Sequence, residues 1–153
     1  VSEPAPNPVR VGVVGLGYWG PNLARNLALI HGCEVTWLCD ASEHARGRLA
    51  PAFPSARSTA ELGDLLADER LDAIVLATPV PTHADLAVAV LEAGKHCFVE
   101  KPLATSAADA ERAVAAASQA GRILMVGHLL EYHPAVTRLK ELIGSGELGD
   151  LYY

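Results

Sequence analysis

Short, uninterrupted apolar runs alternate along the chain with segments whose apolar residues recur every three or four positions. The runs cover residues 11–14, 35–39, 73–77, 96–99 and 123–126, with a shorter one at Ala56-Arg57. None alternates strictly between apolar and polar, so each predicts a strand covered on both faces, as in a parallel sheet. Between them the spacing predicts helices over 21–30, 43–52, 59–67, 82–93, 106–120 and 134–143. Ser58 is the expected cap of the third helix, and Gly94 and Gly121 are expected stops for the fourth and fifth. Leu86, Val90 and Ala93 should share one face of the fourth helix, and Val136, Leu139 and Ile143 one side of the last. The strand at 123–126 reads as the last central strand. Strand-helix alternation without an internal repeat predicts an α/β fold, a doubly wound parallel sheet.

Half of the 153 residues are apolar, enough for one domain with its own core. The net charge is −6 and no Lys/Arg cluster opposes it, which argues against a nucleic-acid partner. No apolar run approaches the roughly 20 residues of a membrane span, so no membrane partner is expected. Residues 1–8 carry Pro4, Pro6 and Pro8 and no apolar stretch, and read as a flexible tail rather than a signal or transit peptide. Cys33, Cys39 and Cys97 are odd in number and lack metal-ligand spacing. They read as reduced thiols of a cytoplasmic protein, with no metal site.

The chemistry begins where the first apolar run breaks into Gly15-Leu16-Gly17-Tyr18-Trp19-Gly20, with a helix following at once. In a dinucleotide-binding turn the first glycine makes the bend and the second lets the backbone approach the pyrophosphate. The third lets helix and strand pack closely. The helix N-terminus then offers free N–H groups and positive dipole to the anion. Glycine turns also arise for structural reasons alone, so context matters. Asp40 closes the second apolar run 20 residues after Gly20, where a carboxylate can accept hydrogen bonds from the adenosine ribose. Its plain alternative is a turn residue ahead of Ala41 and Ser42. Taken together the parts predict a Rossmann domain that binds NAD. NADP is disfavoured, because a carboxylate about 4 Å from a 2′-phosphate is repelled by roughly 4 kcal/mol per charge pair at an effective dielectric near 20. Arg46 is the only nearby cation expected, in the next helix.

In this fold, ligands meet the C-terminal ends of the strands. After the run at 73–77 come Thr78 and Pro79, then Pro81-Thr82-His83. Glu100-Lys101-Pro102 follows the run at 96–99, and Gly127-His128 the run at 123–126. Each has an alternative as a turn or cap residue. Thr78 and Thr82 alone read as caps, and His83 in a first helical turn reads first as structural. A Lys at the end of a central strand points toward the nicotinamide region, where it can accept or relay an alcohol proton as hydride leaves. Pro102 restricts that turn, with a cis bond open as an alternative to the usual trans.

Gly15-Leu16-Gly17-Tyr18-Trp19-Gly20, Ala77-Thr78-Pro79, Glu100-Lys101-Pro102 and Val126-Gly127-His128, in that order, resemble the N-terminal NAD-binding domain of the glucose–fructose oxidoreductase / inositol dehydrogenase (Gfo/Idh/MocA) family. The resemblance covers nearly the whole chain from Val9. The segments 127–135 and Gly146-Glu147-Leu148-Gly149 are most similar to the branch that oxidises UDP-N-acetylglucosamine or its uronate at the 3-position. The resemblance implies that Gly15, Gly17 and Gly20, with the Tyr18 and Trp19 backbone, hold the pyrophosphate, and that Asp40 holds the adenosine ribose. It implies that Thr78, Pro79 and His83 lie along the nicotinamide half. It implies that Glu100 positions the cofactor, that Lys101 sits at the reacting carbon, and that His128 and Tyr132 face cofactor or sugar.

Members of that family carry a second α/β domain that covers the active site and supplies a catalytic His. Residues 9–130 correspond to the cofactor domain, and 131–153 to a connecting helix and the start of the second domain. The expectation is that this chain binds cofactor but holds one wall of a sugar or nucleotide-sugar site. A stand-alone dinucleotide-binding or regulatory module is the alternative. An S-adenosylmethionine methyltransferase would share the glycine turn and the acidic strand end, but Gly20 and Glu100-Lys101-Pro102 argue against it. Leu148, Leu151, Tyr152 and Tyr153 would begin an unpaired apolar strand, which predicts a disordered tail or a homo-oligomer formed through it.

Overall fold

The computed structural model describes residues 7–150 and Tyr152. Six strands form one parallel sheet: β1 (Val9–Val14), β2 (Cys33–Cys39), β3 (Arg57–Thr59), β4 (Ala73–Leu76), β5 (His96–Val99) and β6 (Leu124–Val126). The helices between them are α1 (Gly20–Ala28), α2 (Glu43–Leu49), α3 (Leu62–Ala67), α4 (His83–Glu92) and α5 (Ala107–Ala120), and α6 (Pro134–Gly144) follows the sheet. The strand order is β3-β2-β1-β4-β5-β6. The winding reverses between β1 and β4, which opens a crevice at the C-terminal ends of those two strands.

Two apolar clusters sandwich the sheet, as runs without polar alternation require. Val11, Val13, Val35 and Leu38 pack with Leu16 and Ala24 of the α1 side. Val14, Trp37, Cys39, Ile74 and Leu76 pack with Leu65 of α3, Val90 and Leu91 of α4, and Ala113 of α5. Gly12 in β1 leaves room for this second cluster. A Cβ there would stand 2.7 Å from a methyl carbon of Leu65.

Several expected boundaries move. Ser58 does not cap a helix, because Ser58 and Thr59 belong to β3 and pair with Leu38 and Cys39. The Thr59 hydroxyl accepts the Glu61 N–H at 3.1 Å and donates to the Asp64 carboxylate, so the helix starts at Leu62 instead. The helix expected over 82–93 opens as a 3-10 turn, Val80–Thr82, and its buried face is His83, Ala84, Ala87, Val90 and Leu91, with Ala93 exposed. The predicted stop at Gly121 is present, in the left-handed conformation with φ 61°.

β6 is an edge strand, not a central one, and Met125 is exposed there. No residue of α6 is buried, and Leu139 and Ile143 on its expected inner side are exposed. Of the expected tails, residues 1–6, Leu151 and Tyr153 lie outside the described residues, while Leu148 and Tyr152 are exposed and outside any strand. Among the described residues no helix is long and apolar enough to cross a membrane, and no group of three His, Cys, Asp or Glu is placed to hold a metal.

Candidate functional site

A groove of about 760 Å³ runs along the C-terminal ends of β1, β2, β4 and β5. Its floor at β1 is the glycine turn. Gly15 has φ 88°, in the left-handed region, and its N–H donates to Cys39 O at 2.8 Å. A Cβ on Gly15 would stand 2.6 Å from the Ala77 carbonyl, and one on Gly20 would overlap the Gly15 carbonyl oxygen. Gly17 differs from both: apart from its own chain neighbours, no protein atom lies within 4 Å of where its Cβ would be. The first and third glycines are thus required by the protein's own packing, and the second faces open space at the groove. α1 begins at Gly20 with Pro21 in its first turn, no acidic residue there and no side-chain cap on its N–H groups. That is an anion cradle with its donors left free. Tyr18 and Trp19 are exposed beside it and meet edge to face, with centroids 5.4 Å apart.

Asp40 stands at the end of β2 and ties it to this turn. Its Oδ2 accepts the Leu16 N–H at 2.6 Å and its Oδ1 accepts the Ser42 N–H at 2.8 Å. Each carboxylate oxygen keeps a lone pair for a ligand hydroxyl. Asp40 therefore does more than end a turn: it fixes the approach of the glycine loop to β2. Two guanidiniums border this end of the groove. Arg46 donates to the carbonyls of Asp40 and Ala41, while Arg48 donates to those of Leu16 and Gly17 at 3.3 Å each. Arg48 thus joins Arg46, the one nearby cation the sequence points to. No local pattern marks Arg48, since its partners lie more than 30 residues earlier.

The opposite end is built by the loops after β4 and β5. Thr78, Pro79, His83, Glu100 and Lys101 all line the groove. The Thr82 hydroxyl lies 2.7 Å from Pro79 O and 2.8 Å from the Thr78 hydroxyl, bracing the β4 loop. His83 is buried, with Nε2 at 2.8 Å from Thr78 O and Nδ1 at 2.8 Å from Pro102 O. The Glu100 carboxylate is buried and accepts the Lys101 N–H at 3.2 Å. Gly127 makes room for it, since a Cβ there would come within 3.3 Å of Glu100 Oε2. Lys101 is exposed, and the Lys101–Pro102 bond is cis. Cys39 also lines the groove; burial first, then the neighbouring Asp40 charge, pushes its thiol up to about 11.

His128 and Tyr132 are exposed and do not line this groove. Gly20 lies beneath its floor. Leu62, Val80 and Leu86 form apolar walls; of these the sequence marks only Leu86, and as a helix-face residue rather than a site residue. Their hydrophobic character serves the core equally well, so nothing in the pattern separates the two roles. A groove with an uncapped helix N-terminus at β1, the Asp40 carboxylate at its β2 end and Lys101 at its β5 end suits a dinucleotide.

Comparisons with known proteins agree. A family model described as an oxidoreductase family, NAD-binding Rossmann fold, matches residues 9–128. Inositol 2-dehydrogenase of Salmonella paratyphi B is 35% identical over 144 residues, which is 92% of this chain and 43% of that protein. The WlbA dehydrogenase of Bordetella pertussis, solved with NADH and UDP-GlcNAcA, is similar with a TM-score of 0.88 at 34% identity, over 96% of this chain and 42% of that one. KijD10, a 3-ketoreductase of Actinomadura kijaniata solved with NADP, is similar with a TM-score of 0.86 at 29% identity, over 94% of this chain and 46% of that one. The chain spans less than half the length of these relatives. With the glycine cradle, the parallel sheet and the match over 9–128 in agreement, the chain belongs to the Gfo/Idh/MocA oxidoreductase family, as its NAD-binding Rossmann domain.

Proposed function

We propose that this chain binds NAD in preference to NADP, as the cofactor domain of a dehydrogenase that moves hydride between a sugar or nucleotide-sugar hydroxyl and nicotinamide. The observation that carries the reading is the Asp40 carboxylate, anchored on Leu16 N–H beside the open face of Gly17. Gly17 and the first turn of α1 hold the pyrophosphate, with the Tyr18 and Trp19 backbone around them. Asp40 holds the adenosine ribose and repels a 2′-phosphate. Arg46 and Arg48 are both occupied by backbone carbonyls, which limits what they can offer such a phosphate.

Thr78, Pro79 and Glu100 border the nicotinamide half. When bound, the nicotinamide supplies the hydride acceptor. Lys101, exposed at the mouth of the groove, takes or relays the hydroxyl proton. His128 and Tyr132 belong to the substrate side, outside the groove. The substrate class is supported by WlbA, solved with UDP-GlcNAcA, and by the inositol dehydrogenase similarity. Residues 131–153 then lead toward the substrate-binding part, and the exposed apolar side chains of α6 offer a surface for that part or for a homo-oligomer. A reducing, cytoplasmic setting fits three unpaired thiols, of which burial pushes Cys97 up to about 12.

Calorimetric titration with NAD and NADP, followed by a search for NADH formation with nucleotide sugars, tests the reading. NAD binding tighter than NADP binding supports the reading, and NADH formation with a nucleotide sugar supports the substrate class. Tighter NADP binding contradicts the Asp40 assignment, and binding of neither removes the reading.

A further inference from the structure

We infer that His83 is a positioning residue that spans the loops carrying Thr78 and Lys101 and sets the width of the groove at its β4–β5 end. The inference rests on the NAD reading above and goes beyond it, because the ring has no nitrogen left for a ligand. His83 is 1% exposed. Its Nε2 faces Thr78 O and its Nδ1 faces Pro102 O, both at 2.8 Å. The two carbonyls belong to loops that leave neighbouring strands, β4 and β5. Among the described residues neither carbonyl accepts a backbone hydrogen bond. The imidazole is therefore their shared partner and the direct side-chain link between the two loops.

The chemistry of the ring suits a strut. A carbonyl oxygen only accepts, so each ring nitrogen must present an N–H to be satisfied. A neutral imidazole satisfies one carbonyl and an imidazolium satisfies both. The ring is rigid, so the separation of Thr78 and Pro102 follows from its width. Thr78 is braced again by the Thr82 hydroxyl, one residue before His83. Lys101, one residue before Pro102, inherits its position from the other side. An Asn or Gln at this position would turn an amide oxygen toward one of the carbonyls, or fail to reach it.

The test compares NAD with ADP-ribose, which keeps the adenosine and pyrophosphate but lacks the nicotinamide. The wild-type chain, His83→Ala and His83→Gln are titrated with both. Wild type is expected to bind NAD more tightly than ADP-ribose. In His83→Ala, NAD affinity is expected to fall about tenfold while ADP-ribose affinity stays within about twofold, with His83→Gln in between. If the alanine variant does not fold, the glutamine variant carries the comparison. An equal loss for both ligands means a general structural role and overturns the inference, as does an unchanged NAD affinity. Failure of the wild type to bind either ligand overturns the NAD reading itself, and so is told apart from failure of the strut.

Discussion

Gly20 is packed so closely on Gly15 that any side chain on Gly20 would overlap the Gly15 carbonyl oxygen. Gly15 in turn lies against the Ala77 carbonyl and holds φ 88°. Alanine at either position must shift backbone rather than a flexible side chain. Each substitution is expected to cost about 2–3 kcal/mol, or roughly 5–10 °C in Tm. Thermal unfolding followed by circular dichroism measures it. An unchanged Tm in Gly20→Ala would contradict the packing described.

Asp40→Ala removes the acceptor for two backbone N–H groups, those of Leu16 and Ser42. The expected structural cost is about 1–2 kcal/mol, most of it from the part-buried Leu16 N–H, which loses a charged acceptor, while the exposed Ser42 N–H turns to water. The ligand effect is separate: NAD affinity should fall about tenfold, and the preference over NADP should shrink to within a few-fold. Parallel titrations of the two cofactors measure both changes. A variant that keeps the parent's preference would move the discrimination elsewhere, with Arg46 and Arg48 the next groups to replace.

Asp68 predicts a pH dependence away from the groove. The Trp37 indole N–H first, and then the Arg70 backbone and guanidinium, hold its carboxyl below the ordinary value of 3.8. The unfolded chain therefore binds this proton more readily than the folded one in that range. The stabilisation is complete above the ordinary value and is lost as pH falls through the lower folded value. Asp68→Asn should flatten the acid limb of a Tm–pH curve. An identical acid limb in both proteins would show that Asp68 does not contribute.

Lys95 is buried, and its ammonium donates to Asp68 O at 2.7 Å and to Leu71 O at 3.1 Å. It caps the loop between α3 and β4 from within. Lys95→Met keeps the alkyl stem but strands the Leu71 carbonyl and leaves Asp68 O with the Leu71 N–H alone, with an expected loss of about 1–3 kcal/mol. Chemical denaturation measures it. A loss below about 0.5 kcal/mol would show that water replaces the ammonium.

Short-range patterns were the most legible. Gly15, Gly17, Gly20 and Asp40 stand on one strand-helix-strand unit, whose geometry follows from neighbouring residues, and the structure gathers them at one groove. What failed depended on distant pairing. Ser58 reads as a cap and Thr59 as the first residue of a helix until Leu38 and Cys39 claim them for the sheet. β6 carries the same apolar signature as a central strand, because periodicity does not encode strand order. His83 read first as structural from its place in a helical turn, but its partners could not be foreseen: Pro102 lies 19 residues away. The inner face expected of α6 had no partner in the pattern, and among the described residues it is not buried: Val136 is half-buried, and Leu139 and Ile143 are exposed.

The most direct test of the account is titration of NAD into the wild-type chain and Gly17→Ala, with thermal unfolding of both. The space in front of Gly17 is empty of protein atoms, so a methyl group there should leave stability within about 0.5 kcal/mol. The wild type is expected to bind NAD, and Gly17→Ala to lose at least tenfold in affinity at unchanged Tm, because the methyl group occupies the space assigned to the pyrophosphate. Equal NAD affinity in the two proteins, or no NAD binding by the wild type, would contradict it.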